Sequence, residues 1–160
     1  MANSHLGTYL NDHLAGSMAA LEILSQLEKI ESLKEWARRV AAEVRTDRQD
    51  LEHLMHRAGI AQSAVRQAAG WMSEKLAELK TFLDDRSGGT FQQLELIEVL
   101  ALGIDGKRAL WTVLQAVSAR MPALQGVDYR RLIERAEEQR QVVEVRRLEA
   151  ALDALLSKTS

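Results

Sequence analysis

The sequence has very little of the residues that build turns, β-sheet and reactive sites. It contains no cysteine, one proline and two phenylalanines in 160 residues. Without cysteine there can be no disulfide framework, thiolate metal site or cysteine nucleophile. The start of the chain lacks the apolar run of a signal peptide, and no stretch reaches the roughly 18 uninterrupted apolar residues of a membrane span. These absences predict a cytoplasmic protein.

The net charge is also close to zero, which argues against nucleic acid and anionic membranes as partners. The 21 Lys and Arg residues nearly balance the 23 Asp and Glu residues, giving a formal net charge of −2. No overall field therefore attracts nucleic acid or an anionic membrane. The apolar fraction is 46%, an ordinary value for a globular protein, and the length suffices for one sizeable core. We expect one domain across residues 1–160 that binds neither nucleic acid nor membrane.

What remains abundant is helix-forming: alanine, leucine, glutamate, glutamine and arginine. The pattern predicts long helices over about 4–30, 32–59, 90–119 and 128–156, with a shorter amphipathic helix over 62–83. Ser32 and Glu35 have the spacing of a capping box, and Asp128 can cap the last helix. Apolar residues recur at helical spacing along the short helix: Val65, Ala69, Met72, Leu76, Leu79 and Leu83.

Helix lengths and connections predict the architecture. The four long helices each span about 26–30 residues, or roughly 40 Å. A tight turn joins the first two and a short loop joins the last two, so each pair should be an antiparallel hairpin. The intervening segment is long enough to carry the chain back along the bundle. We therefore expect an all-α four-helix bundle with an additional short helix in its long crossover.

Hairpin, long crossover, hairpin is the connectivity of ferritin-like folds, and the chain resembles the ferritin-like superfamily across nearly its full length. Two phrases are also similar to an uncharacterised group of small bacterial proteins of that kind. They run from Tyr9 to Gly16 (YLNDHLAG) and from Leu102 to Lys107 (LGIDGK), the second followed by Leu110 and Trp111.

The ferritin-like resemblance implies a di-iron centre of four glutamates and two histidines, with Glu-x-x-His on two helices. The sequence departs from that pattern, because no histidine follows His56. The nearest approximation, Asp50-Leu-Glu-His53, places His53 opposite the apolar stripe of its helix. We therefore expect no cofactor, no metal ligands and no catalytic residues. A metal-binding or iron-handling oxidoreductase with an atypical ligand set is the alternative hypothesis.

Four polar residues instead fall on the apolar faces of the long helices, one on each: His13, Asp47, Lys107 and Gln139. Counting from the two turns places all four near one depth of the bundle. A lone buried charge is costly, whereas a paired and hydrogen-bonded one is tolerated. We predict an Asp47–Lys107 pair with hydrogen bonds completed by His13 and Gln139. In the alternative, Lys107 extends between helices to solvent.

Other features bear on partners and cofactors. The helix over 90–119 has a second apolar face, which must be covered by the crossover helix or by another subunit, so a homodimer is predicted. Gly103 and Gly106 on that helix would allow another helix to approach closely. The arginines of the last helix alternate with glutamates and indicate a solvated, ion-paired face. The second apolar face comprises Phe91, Leu94, Leu102, Ala109 and Val113.

The leading hypothesis is a non-catalytic ferritin-like bundle acting as a structural or interaction module, with a polar cluster in place of the di-metal centre. A third hypothesis is a small-molecule binding bundle, which needs a cavity lined by tryptophans. The tryptophans are Trp36, Trp71 and Trp111, which more often pack in cores than bind cofactors.

Overall fold

The computed structural model describes residues 2–63 and 89–156. Within these ranges the chain forms α-helices and no strands, which confirms the all-α prediction. The elements are α1 (Ala2–Leu27), α2 (Lys34–Arg57), α3 (Gly89–Ser118), a short 3-10 helix (Pro122–Leu124) and α4 (Tyr129–Leu156). Residues 62 and 63 are not helical, and the remainder of the predicted 62–83 helix, its expected packing and Trp71 lie outside the described residues. No helix of the described part is both long and apolar enough to cross a membrane.

The predicted capping box at the α1–α2 turn is wrong. Helix α2 begins two residues after Ser32, its N-cap is Leu33, and no side chain caps it. The turn is closed by backbone bonds instead, among them Leu33 N–H to the Ile30 carbonyl at 2.9 Å. Leu33 is only 8% exposed and packs in the core. Burial of Leu33, rather than a serine cap, therefore sets where the helix starts.

Two other helix ends match their sequence signals. The backbone N–H of Arg131 donates to Asp128 Oδ1 at 3.1 Å, so Asp128 caps α4. Gly59 has a φ of 65°, the left-handed conformation that ends a helix. The following residue, Ile60, donates from its N–H to the Met55 carbonyl at 2.9 Å and packs against the bundle. The glycine thus turns the chain so that Ile60 covers the end of α2.

Buried apolar side chains form two cores. The turn-side core lies next to the α1–α2 turn and the loop-side core next to the α3–α4 loop. The turn-side core contains Ile23, Leu24, Leu27, Leu33, Trp36, Ala37, Val40, Ala41, Val44, Leu96, Ile97, Leu100, Ala101, Ile104 and Val143. The loop-side core contains Leu10, Leu14, Leu51, Leu54, Met55, Leu110, Trp111, Leu114, Leu124, Tyr129 and Leu132.

The order in which each helix meets the two cores gives its direction. Helices α1 and α4 run from the loop-side core to the turn-side core, whereas α2 and α3 run the opposite way. Each hairpin is therefore antiparallel, as predicted. Helix α2 ends at the loop-side core and α3 begins at the turn-side core, so these two consecutive helices run in the same direction.

Candidate functional site

A layer of polar side chains separates the two apolar cores. On α2, Asp47 lies between the residues of the turn-side core and those of the loop-side core, and Lys107 lies at the corresponding place on α3. Gln139 lies between the two cores on α4. Asp47 is 4% exposed and Gln139 3%, and the Lys107 side chain is 16% exposed. These residues are polar at a depth where their helical neighbours are apolar.

The three side chains form a closed triangle. Lys107 Nζ donates to Asp47 Oδ2 and to Gln139 Oε1. Gln139 Nε2 donates to the same Asp47 oxygen at 3.0 Å. The structure thus brings together three of the four residues singled out in the sequence, and Lys107 turns inward rather than out to solvent. Each hydrogen bond of the triangle joins two different helices, so the triangle links α2, α3 and α4 to one another.

Arg135 is a fourth member that the sequence reasoning missed. The alternation of arginine and glutamate along α4 predicts a solvated side chain here, but Arg135 Nη2 contacts Asp47 Oδ1 and donates to Asp50 Oδ2 at 2.5 Å. Arg135 lies four residues before Gln139 and therefore on the same face of α4. That spacing was the available signal. Together Asp47, Lys107, Gln139 and Arg135 are called the polar layer below.

His13 takes no part in the hydrogen bonds of the triangle. Its ring packs edge-on against Tyr9, with ring centroids 4.7 Å apart and planes at 79°. It also lines a cavity beside the polar layer. Burial lowers the pKa of His13, and the nearby charge of Asp12 opposes this only in part. The imidazole is therefore held neutral at neutral pH.

Burial and ion pairing shift the pKa values of the cationic groups in the polar layer in opposite directions. Burial lowers the pKa of Lys107, and the charge and hydrogen bond of Asp47 oppose that effect. Burial also lowers the pKa of Arg135, but here the hydrogen bond to Asp50 and the charge of Asp47 outweigh it and leave the pKa raised. The negative charges of Asp47 and Asp50 thus lie next to the positive charges of Lys107 and Arg135.

The residues present do not fit the di-iron centre that the ferritin-like resemblance implies. Among the described residues no group of three or more histidines, aspartates or glutamates could hold a metal ion. At the middle of the bundle, both carboxylate oxygens of Asp47 already contact the cationic groups of Lys107 and Arg135. A protonated lysine or arginine has no lone pair to give to a metal. The polar layer therefore satisfies its carboxylate with its own cations.

A cavity of about 90 Å³ lies beside the polar layer, between α1, α2 and α3. Trp111 lines it, is only 1% exposed, and has no hydrogen-bond partner for its Nε1 among the described residues. Gly16 and Gly103 line it too, and a Cβ built on either would meet no atom within 4 Å. Gly103 therefore does not serve close packing of another described helix, as the sequence had suggested. The remaining lining residues are His13, Ser17, Ala20, Val44, Asp47, Arg48, Leu51, Ile104, Lys107 and Leu110.

A second feature without an assigned role is the outer face of α3, opposite the cores. Leu102 is 70% exposed, Val99 48% and Val113 44%, whereas Leu94 of the predicted second face is buried at 6%. Small and apolar residues follow one another there at alternating spacings of three and four, the pattern of a coiled-coil seam. This outer seam comprises Val99, Leu102, Gly106, Ala109, Val113 and Ala116.

Comparisons with protein-family models, with curated proteins and with solved structures found no match to this chain. A function is therefore assigned from features of the described residues, beginning with the polar layer, the cavity and the outer seam.

Proposed function

We propose that this chain is a non-catalytic ferritin-like helical bundle that acts as an interaction module and forms a homodimer through the outer seam of α3. Two antiparallel hairpins whose second and third helices run in the same direction support the ferritin-like assignment. The exposed seam is the observation that supports a role in binding a partner. An apolar stripe along the solvent-exposed face of a helix is typical of a surface that binds another protein.

The polar layer supports a structural rather than a catalytic role for the middle of the bundle. Hydrogen bonds connect the side chains of Asp47, Lys107 and Gln139 to one another. Such a buried polar group favours the one alignment of helices in which every member is paired. In the proposed module it takes the place of the ancestral-type metal centre and fixes the depth of α2, α3 and α4 relative to one another.

The middle of the outer seam is self-complementary. If a second copy of α3 packs antiparallel about the point between Gly106 and Ala109, each of these small residues faces the other across the axis. In the next layer out, Leu102 of one copy faces Val113 of the second copy. Small residues at the centre let the helix backbones approach, and larger ones on either side fill the space. A Cβ built on Gly106 meets no atom of the described residues within 4 Å, so nothing in the described part of the chain stands against a partner at this position.

The ends of the outer seam match under the same symmetry. The next layer pairs Val99 with Ala116 of the second copy. Continuing the spacing of three and four brings Glu95 opposite Arg120, which lies two residues after the end of α3. Opposite charges would therefore meet at both ends of the seam, whereas a parallel arrangement would place like residues together. Charge complementarity of this kind sets orientation in coiled coils.

The dimer is tested by introducing a charge into the seam. Leu102→Glu buries four carboxylate oxygens in the dimer without partners, so the mass in solution should fall from twice 17.9 kDa to 17.9 kDa. The measurement is analytical ultracentrifugation at several concentrations. Leu152→Glu is the matched control: Leu152 is a 60% exposed leucine on α4, outside the seam, and its variant should remain a dimer.

Orientation is tested by charge reversal at the ends. Glu95→Arg and Arg120→Glu should each weaken the dimer, and the double variant should restore it, because the reversed pair still faces across the symmetry axis. A monomeric wild-type chain would remove the proposal. Dissociation by Leu152→Glu instead of Leu102→Glu would move the interface to α4.

The metal-binding alternative needs its own measurement. Elemental analysis of protein purified without chelators should find no stoichiometric iron, manganese or zinc, and added Fe(II) should oxidise no faster than in buffer. Stoichiometric metal, or rapid protein-dependent oxygen consumption, would favour an iron-handling bundle with ligands from other parts of the chain.

A further inference from the structure

We propose that a groove between α2 and α4 binds a small monocarboxylate with a short apolar body. The groove has a volume of about 350 Å³, within the range of small-molecule binding sites, and lies beside the α3–α4 loop. Its walls come mainly from α2, α4 and that loop, so it does not involve the outer seam of α3 or depend on the dimer. The proposal rests on two exposed arginines, on the net charge of the groove wall and on its apolar contacts.

Arg57, at the end of α2, lines the groove and has no acidic partner among the described residues. Its Nη2 donates to the backbone carbonyls of Ala123 at 3.2 Å and Gln125 at 2.6 Å. These bonds hold the guanidinium in place, but a carbonyl carries no net charge to balance it. A guanidinium has five N–H donors, and those on Nε and Nη1 bind no other described residue. Because Arg57 is exposed, these donors can reach a carboxylate, which also supplies the missing charge.

Arg131 lines the groove from α4, and its pairing is weak. Its acidic partner among the described residues is Glu138 at 3.7 Å, which is too long for a hydrogen bond. The two side chains are 59% and 66% exposed, so water screens this pair. Asp128, which also lines the groove, accepts its hydrogen bond from the Arg131 backbone N–H and caps α4. The Arg131 guanidinium is therefore a second group that can donate to an anion in the groove.

The charges of the groove wall favour a ligand with a single negative charge. Three arginines and two aspartates line the groove, which leaves a formal charge of +1 with histidine counted as neutral. Arg135 is matched within the wall by Asp50, to which it donates a hydrogen bond. Arg57 and Arg131 then stand against Asp128 alone. One carboxylate brings the wall to neutrality, whereas a dicarboxylate or a doubly charged phosphate would add negative charge beside the aspartates.

Apolar contacts in the same groove accommodate the body of the ligand. Val127 and Leu132 line the groove, and Val127 is half-buried. The methylene stems of Arg57 and Arg131 add apolar surface next to their charged heads. A ligand whose carboxylate meets the arginines can thus place a short alkyl chain on Val127. Hexanoate, with one carboxylate on a chain of five carbons, has these features.

The test is a titration of ¹⁵N-labelled protein with hexanoate at constant ionic strength, followed by NMR. The Nε–H signals of Arg57 and Arg131 should shift saturably, with a Kd on the order of 1 mM. Hexanamide has the shape of hexanoate without its charge, and acetate has the charge without the alkyl chain. Each should bind at least about fivefold more weakly. Equal binding of acetate would indicate an adventitious ion only, equal binding of hexanamide would indicate apolar contact alone, and either would overturn the proposal.

Arginine variants locate the site. Arg131→Gln removes one charge from the groove and should weaken hexanoate binding about fivefold, the upper end for an exposed ion pair. Arg130→Gln is the matched control, because Arg130 is the neighbouring exposed arginine of α4 and does not line the groove. Both variants change the net charge of the chain equally, and Arg130→Gln should bind hexanoate as the wild type does.

Arg57→Gln should weaken binding more than Arg131→Gln, because Arg57 has no acidic partner among the described residues. This variant also loses bonds to the α3–α4 loop, so the urea midpoint checks its fold, and Arg131→Gln tests the proposal without that change. Unchanged binding in Arg131→Gln, or an equal loss in Arg130→Gln, would overturn the proposal. The absence of a saturable shift in the wild type would do the same.

Discussion

Two networks of charged side chains in the described part of the molecule are built alike but differ in their surroundings. In the polar layer, Asp47 contacts both Lys107 and Arg135 while only 5% of its side chain is exposed. On the outside of the α3–α4 hairpin, Arg147 donates to Glu144 at 2.6 Å and to Glu98 at 3.1 Å. There Glu98 is 47% exposed. Both networks join acids and bases on different helices with short contacts.

The comparison teaches that contact geometry does not determine the energetic consequence of an ion pair. A surface pair that is broken regains water on both sides, so its net contribution is small and salt-sensitive. A buried group has no such alternative, and removing one member leaves the other unpaired in the core. The inner network should therefore determine helix alignment and stability, and the outer one should contribute little to either.

The largest effect expected from this comparison is for Asp47→Leu. It leaves the ammonium of Lys107 without its counter-charge, which should cost on the order of 3–5 kcal/mol. Lys107→Met should cost less, about 1–3 kcal/mol, because Asp47 keeps Arg135 and Gln139 while only the Gln139 carbonyl loses its donor. Urea midpoints and slopes for the two variants measure both values.

The double variant Asp47→Leu/Lys107→Met decides whether the two act as a pair. It should recover much of the loss of Asp47→Leu, because no ammonium is left unpaired and Arg135 retains Asp50. Effects of the two changes that add within about 0.5 kcal/mol would show that the layer is not coupled. Gln139, which loses both partners in the double variant, limits the recovery.

Helix type, hairpin order and the depth of the polar layer were accessible from the sequence because each follows from a periodic signal. Asp47, Lys107 and Gln139 interrupt apolar stripes, and counting residues from the two turns placed them together. The start of α2 was misassigned because a capping pattern is a weak preference, whereas burying Leu33 stabilises a different start.

Arg135, which joins the polar layer, and His13, which does not, show the limit of counting residues along helices. Arg135 has a long side chain whose head can reach the layer from a position that is polar by pattern. His13 falls on the apolar face of α1, but no pattern says that its ring packs on Tyr9 instead of reaching Asp47. The cavity could not be predicted at all, because it depends on gaps between three helices at Gly16 and Gly103.

The next effect in size concerns His13, which borders the polar layer without joining its hydrogen bonds. Because burial lowers its pKa in the folded state, the unfolded chain binds a proton that the folded chain does not. Stability should therefore be complete above the ordinary histidine pKa of 6.5 and fall as the pH drops through it. Urea midpoints between pH 7 and pH 5 should show this slope, and His13→Gln should remove it. His53→Gln, at an exposed histidine of α2, should retain the full slope.

The smallest effect is expected for Arg147→Met, which makes the same kind of change in the outer network that Lys107→Met makes in the inner one. Its hydrogen bonds, together with those of Arg140, lower the pKa of Glu144 from 4.5 to about 2. A lowered acid pKa adds stability that is present above pH 4.5 and is lost as the pH falls toward 2. Because the side chains of Glu144 and Arg147 are 34% and 28% exposed, water and salt reach them and screen most of this contribution. At pH 7 the urea midpoint of Arg147→Met should therefore lie within error of the wild type in 1 M NaCl (Debye length about 3 Å), with a small decrease at low salt only. A decrease as large as that of Lys107→Met, unaffected by salt, would mean that the outer network also holds the hairpin together and that burial is not what separates the two.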